Sequence, residues 1–205
     1  PVFRAYALVL PDRAFIYTNA LADKPELVVQ LSAAGFDVRG YELALSEAAG
    51  MLGSSTVLVD PAKTSQALFE KLEAAGIRTL LRRQPTELLK SRKTKQELSL
   101  LRETMRHDGA AMCELFCWLQ EELQAGRRLT EMDVSMKLKE LRSRRPGFMG
   151  LSFETIAAAG ANAALPHYQP QKDSAAALER GELLLIDSGG QYEGGTTDIT
   201  RTIAI

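Results

Sequence analysis

Several simple functions are excluded by what this sequence lacks. Two cysteines in 205 residues cannot build a disulfide scaffold and suit a reducing compartment, so a cytoplasmic location is expected. No charge of one sign dominates. Lys and Arg total 25 against 26 Asp and Glu, and a chain without a basic excess is not expected to be a dedicated nucleic-acid binder. No apolar run reaches the length of a membrane span; the densest, Leu183-Leu184-Leu185-Ile186, is strand-sized, so no membrane partner is expected. Internal repeats and low-complexity tracts are also missing. What remains is 45% hydrophobic and 25% charged, the profile of a globular protein of one to two domains with a real core. The chain opens on Pro1 and closes on Ile205 in what reads as mid-strand, and it is expected to be a piece cut at both ends.

The first part alternates strands with helices. Residues 2–10 are strand-like, Pro11-Asp12-Arg13 is turn chemistry, and Ala14 to Thr18 returns as a hairpin. Asp23 followed by Pro25 marks a helix start, and Gly35 marks its end. Val57-Leu58-Val59 predicts a strand. Thr64 to Ala75 predicts an amphipathic helix with Leu68, Phe69 and Leu72 on one face, and Ile77 to Leu81 a further strand. Such alternation indicates an α/β layer.

Composition shifts over Gln84 to Lys95, where Lys90, Arg92, Lys93 and Lys95 replace apolar residues and suggest a linker. Thr94-Lys95-Gln96-Glu97 has the capping-box pattern and predicts a long helix to about Leu123, closed by Gly126. Thr130 to Arg144 predicts a second amphipathic helix with the stripe Val134, Leu138, Leu141. The cluster Arg142, Arg144, Arg145 at its end reads as a solvated, dipole-favoured terminus. Two domains follow, spanning 1–88 and 89–205, with the boundary inside the basic segment and the second core beginning at Thr94. From Gly147 the texture turns to β: Ser152 to Ile156 alternates, small residues run to Leu165, and Pro166-His167-Tyr168-Gln169-Pro170 reads as an extended loop.

The chemistry concentrates near the end. Two strands separated by the paired glycines Gly189-Gly190 and Gly194-Gly195 predict an antiparallel hairpin. If it turns at Tyr192-Glu193, Asp187 and Asp198 stand directly opposite, about 5 Å apart at Cβ, where like charges repel. Strand parity puts Asp198 with Thr196, Thr200 and Thr202 on a polar face, opposite Ile199, Ile203 and Ile205, and a polar face in a buried sheet commonly lines a site. A shared proton, an arginine or a divalent cation would each relieve the repulsion. Arg201 has the wrong parity for that work. Among the remaining candidates, His107 reads as a helix-surface residue, Cys113 and Cys117 as two small buried thiols, and Leu115, Phe116 and Trp118 as helix core.

The run Asp187-Ser188-Gly189-Gly190-Gln191-Tyr192, followed by Gly195-Thr196-Thr197-Asp198-Ile199-Thr200-Arg201-Thr202, resembles the Xaa-Pro aminopeptidases (aminopeptidase P). These belong to the pita-bread metallopeptidases, with prolidase, creatinase and methionine aminopeptidase. Gly150 to Ile156 and Asn162 to Tyr168 are similar to the same family in the same order. The likeness is strong from Thr94 onward, and residues 1–83 resemble a creatinase-type domain. It implies an α/β (α+β) fold: part of a creatinase-type domain, then the first half of a pita-bread domain. It further implies two divalent ions, commonly manganese with cobalt or zinc as alternatives, with Asp187 chelating one and Asp198 bridging both. His167 would lie at the substrate, a peptide with proline second, and the full-length protein would be a homodimer.

The family adds a His and two Glu beyond the second Asp, whereas only seven residues follow Asp198 here and none is His, Asp or Glu. The 205-residue chain is therefore expected to be inactive by itself. A prolidase-like dipeptidase is one alternative. A metal-free pita-bread module that binds peptide or histone is another, disfavoured by the two opposed carboxylates.

Overall fold

A computed structural model describes residues 3–205, which divide into two compact units, one reaching Arg92 and one running from Lys93 to Ile205. The first unit opens with the expected hairpin. Strands β1 (Tyr6–Val9) and β2 (Ala14–Tyr17) pair antiparallel with Tyr6 opposite Tyr17, and the Leu10 amide donates to the Arg13 carbonyl at 2.8 Å across the turn. Val2, where the strand was expected to start, lies outside the described residues. Helix α1 (Pro25–Ala33) carries its proline in the first turn, where no amide is needed, and gives way to Gly35 at φ 89°. It crosses over to β3 (Phe36–Arg39), which pairs parallel with β2.

Neither β3 nor helix α2 (Ala44–Leu52) was anticipated. A four-residue strand offers too few positions for alternation to show, and Gly50 inside α2 weakens its helical signature. Strands β4 (Thr56–Val59) and β5 (Arg78–Leu81) pair in parallel, and helix α3 (Gln66–Ala74), N-capped by Ser65, lies between them in sequence. Leu72 of that helix is buried with Val59 and Ile77. The supposed linker is not featureless: Pro85–Ser91 forms helix α4. Its approach is tethered by Asp60, whose carboxylate accepts from the Gln84 amide at 3.0 Å and is held below the usual range by that bond and one from Ala62.

In the second unit the capping box forms as expected. Thr94 Oγ1 accepts from the Glu97 amide at 3.2 Å, Glu97 Oε2 accepts from the Thr94 amide at 2.7 Å, and helix α5 runs Lys95–Gln124. Helix α6 (Glu131–Ser143) starts in the same way from Thr130 and Asp133. Val134, Leu138 and Leu141 of α6 are buried with Ala111, Met112, Leu115 and Leu119 of α5, and Phe116 and Trp118 pack at the margin. One antiparallel sheet supplies the other layer. Its strands are β6 (Phe148–Ala159), β7 (Leu183–Tyr192), β8 (Gly195–Thr196) and β9 (Ile199–Ala204), with β7 bonded to all three others. Ala157, Leu184, Ile186 and Ile199 complete the core.

Two expectations fail in this layer. Cys113 and Cys117 are exposed, because the buried face of α5 follows Ala111, Met112, Leu115 and Leu119 and leaves both thiols on the other side. Arg142 is not at a solvated helix end. It lies one turn beyond Leu138 on the inward face and is fully buried, its Nε 2.7 Å and Nη2 2.9 Å from the two oxygens of Asp108. The Tyr192 hydroxyl donates to the same Asp108 at 2.7 Å, and burial together with that carboxylate pushes the phenol well above its ordinary pKa. A charged pair and a phenol thus tie α5, α6 and the end of β7 together.

Candidate metal centre

The end of the chain folds as a hairpin, but it turns one residue later than expected. Tyr192 pairs with Gly195, so Glu193-Gly194 form the loop. Gly194 is suited to the tip because a Cβ there would sit 2.9 Å from Thr104 Oγ1 and 3.2 Å from the Leu100 carbonyl of α5. Moving the turn by one residue moves every partner by two. Asp187 therefore faces Thr200, not Asp198, and the Thr200 hydroxyl donates to Asp187 Oδ1 at 2.9 Å. A shift of two preserves the face. Thr197 and Ile199 are buried while Asp198 and Thr200 are exposed, so Asp198 projects on the side of Thr200. The carboxylates are diagonal neighbours along one face and not a directly opposed pair.

That face is also open, contrary to the expectation of a buried polar wall: Thr196, Asp198, Thr200 and Thr202 are all exposed. Among the described residues, no Lys, Arg or His forms an ion pair with Asp187 or Asp198, and Arg201 instead donates to the Thr200 carbonyl. Of the three proposed means of relief, the arginine is thus removed. Gly189 holds the two strands close at this point, since a Cβ would collide with the Thr197 carbonyl oxygen and the Ser152 hydroxyl. The Ser152 hydroxyl donates to that carbonyl at 2.9 Å.

His167 and Asp187 line one cleft of about 430 Å³, with Ile156, Leu165, Leu185 and Thr200 among its walls. The loop carrying His167 is a turn, not the extended segment expected. His167 adopts φ 58°, the one left-handed non-glycine residue among those described. The flanking prolines restrict only their own φ and the residue before each, which leaves His167 free to turn. Such a backbone costs about 1–3 kcal/mol and persists only where the surroundings hold it. Next to His167, Tyr168 bonds to Glu131, a residue sequence reasoning passed over.

Glu131 opens α6 and is fully buried. Its carboxylate accepts from the Ala159 amide at 2.7 Å, the Ala176 amide at 2.8 Å, the Tyr168 hydroxyl at 2.6 Å and the Asn162 amide group at 3.1 Å. Burial by itself would raise its pKa, but these donors outweigh it and hold the carboxyl below the usual range. Burial and the Glu131 charge push the Tyr168 phenol up to about 12, so it stays a donor at neutral pH. The only signal in the sequence was an acidic residue in a helix first turn, which elsewhere serves just the helix dipole. His107 behaves as expected, partly exposed on α5 beside Glu103.

The donor chemistry fits hard divalent cations: two carboxylates without cationic partners on one face, one oriented by a threonine hydroxyl. Among the described residues no third His, Cys, Asp or Glu joins them in a group that could hold a metal ion, and the two-helix, one-sheet unit that carries them is preceded by an α/β unit. Residues 99–205 match the model of Metallopeptidase family M24, and residues 1–97 match that of the Creatinase/Prolidase N-terminal domain; the chain belongs to family M24. It therefore combines a creatinase-type N-terminal fold with the pita-bread fold. A probable Xaa-Pro aminopeptidase P of Pyricularia oryzae is 36% identical over 99% of this chain and 35% of its own length. Aminopeptidase P1 of Arabidopsis thaliana is 32% identical over 99% of this chain and 38% of its own. Among solved structures, an X-prolyl aminopeptidase of Caenorhabditis elegans, described as a cytosolic enzyme with a di-nuclear active site, superposes with a TM-score of 0.87. It is 26% identical, and the match covers 100% of this chain and 34% of that one. The chain spans about a third of the length of these relatives. Among the described residues no helix is long and apolar enough to cross a membrane.

Proposed function

We propose that this chain is part of a metal-dependent aminopeptidase that hydrolyses the N-terminal Xaa-Pro bond of peptides. The observation that carries the reading is the pair Asp187 and Asp198, on one face of the hairpin and with no cationic partner among the described residues, Asp187 lining the cleft together with His167. Asp187 and Asp198 would hold two divalent ions, manganese being favoured and cobalt or zinc acceptable to the same oxygens. A pair of divalent ions supplies Lewis acidity, stabilising charge on a carbonyl oxygen and acidifying water. The chain's own residues do the rest. Thr200 fixes one rotamer of Asp187 through its hydroxyl, and His167 presents an imidazole at the cleft, where it holds or passes a proton near the scissile amide. An Xaa-Pro bond is a tertiary amide with no N–H to donate, so no hydrogen bond from the scissile nitrogen helps to position the substrate.

The same reading makes the 205-residue chain inactive alone, since the resemblance calls for three further ligands and two carboxylates hold two ions weakly. In the longer protein the activity would be cytoplasmic and the assembly a homodimer. Within this chain the two domains would be 1–88 and 89–205, a boundary a few residues before the division at Arg92 and Lys93. The test is Mn²⁺ titration of the chain, with release of the first residue from an Xaa-Pro-Xaa peptide followed in parallel. Weak binding is expected, reduced at least 10-fold by Asp187→Asn or Asp198→Asn, with no turnover. Binding that ignores both substitutions refutes the ligand assignment, and a chain that binds no Mn²⁺ at all favours a metal-free binding module. EDTA-sensitive turnover by the chain alone refutes the incomplete site, and cleavage restricted to dipeptides makes it prolidase-like.

A further inference from the structure

Residues 160–175 have little of their own to hold them in place. Ala161, Ala164 to His167, Gln169 and Gln171 to Ser174 are exposed, with Leu165 at 55%, and of the side chains on this stretch only Pro170 is buried. The backbone bonds recorded inside the stretch are local: Leu165 to Asn162, Tyr168 to Leu165, and Ser174 and Ala175 to Gln171. The side-chain bonds that leave it go from Asn162 and Tyr168 to Glu131, and the amides bounding it, Ala159 and Ala176, donate to Glu131 as well. The backbone at the two ends is held by the Ala159–Leu184 pairing and by the bond from the Glu131 amide to the Ala176 carbonyl, and one buried carboxylate bonds to both ends and to the middle. Tyr168, whose hydroxyl bond to Glu131 is the shortest of the set at 2.6 Å, directly follows the left-handed His167.

We propose that Glu131 is the positioning residue for His167: its carboxylate holds the 160–175 loop in the shape that presents the imidazole to the cleft shared with Asp187. A carboxylate suits this work where an amide does not. Both of its oxygens accept, whereas glutamine would turn an NH₂ toward donors on one side of the hub. That the shape serves peptide hydrolysis rests on the proposed function; the tether itself does not.

The test compares the 205-residue chain with its Glu131→Gln variant, using amide exchange and the imidazole NMR signals. The chain has two histidines, so His107 on α5 serves as the internal reference. Glu131→Gln is expected to speed exchange at Leu165, Tyr168 and Ala176 by about 10- to 100-fold, the effect of losing hydrogen bonds to a charged acceptor. It should move the His167 signals toward those of a free histidine and leave His107 and the β7 amides unchanged. Wild-type protection at Leu165 and Tyr168 with unmoved His167 signals would overturn the proposal. Should Glu131→Gln fail to fold, Tyr168→Phe removes one donor only; the same two changes, smaller, support the proposal, and no change at either probe overturns it. Mn²⁺ separates this reading from the metal assignment. In the wild-type chain it should broaden the His167 signals, and in Glu131→Gln it should bind with unchanged affinity while broadening them less. If Mn²⁺ leaves His167 sharp in the wild-type chain, the metal assignment fails, and the exchange data still decide the role of Glu131.

Discussion

Asp108→Leu should be among the most damaging single substitutions in the second unit, and its cost follows from what it strands. Arg142 is fully buried, and Asp108 is its sole ion-pair partner among the described residues. Removing one member of a buried pair costs about 3–5 kcal/mol, because the other charge stays out of water uncompensated. The Tyr192 hydroxyl loses its acceptor at the same time, adding about 1–3 kcal/mol. Among the described residues no protein group accepts from the buried Arg142 Nη1, so the network is not saturated by protein groups. An apolar replacement of all three groups should therefore recover most of the loss. The triple variant Asp108→Leu, Arg142→Met, Tyr192→Phe is expected to fall within about 1–2 kcal/mol of the native chain. Trp118 is the single tryptophan and packs at the edge of this core, so its fluorescence in urea reports the second unit alone. With a slope of about 2 kcal/mol per molar, the single variant should unfold at a midpoint roughly 2–4 M lower. A shift below about 0.5 M, or a triple variant as unstable as the single one, would refute the reasoning.

Gly189→Ala should disrupt the hairpin at the candidate site, because the added Cβ meets the Thr197 carbonyl and Ser152 together; overpacking of this kind costs about 1–3 kcal/mol or more, and unchanged β7 and β9 amide exchange would contradict it. Acid should release the His167 loop. Glu131 has a folded-state pKa below its ordinary value of 4.5, so its contribution is complete above the unfolded value and is lost as pH falls through the folded one. Exchange at Tyr168 should accordingly be protected at neutral pH and lose protection on acidification below about pH 4.5, with Glu131→Gln insensitive over that range. An identical pH response in the variant would show that another group controls the loop.

Local rules made much of this molecule legible before folding. The Thr94–Glu97 capping box, the stripe Val134, Leu138, Leu141, the first hairpin and the α/β alternation depend on neighbours within one or two turns, and all formed as expected. The facing of Asp187 and Asp198 was also readable, since period-two alternation survives a shift of the turn. Their partners were not. The hairpin turns at Glu193-Gly194, where Gly194 packs closely on Leu100 and Thr104, residues about ninety positions away in sequence.

The same distance explains the other misses. Arg142 and Asp108 look like surface charges until two helices cross, and a charge is stable in a core only where a distant partner meets it. Cys113 and Cys117 look like core residues until α6 selects the opposite face of α5. Glu131 shows the difference most clearly. In sequence it is one acidic residue at a helix start; in the fold it gathers donors from residues 159, 162, 168 and 176, because chain packing excludes water there and leaves one carboxylate to satisfy them all. Sequence determined which segments form helices and strands and which residue types carry the chemistry, since those choices are settled by short-range backbone and burial preferences. Tertiary structure alone decided which charges are buried, which strand partners meet and what holds His167, since each requires groups far apart in the chain to share a volume from which water has been removed.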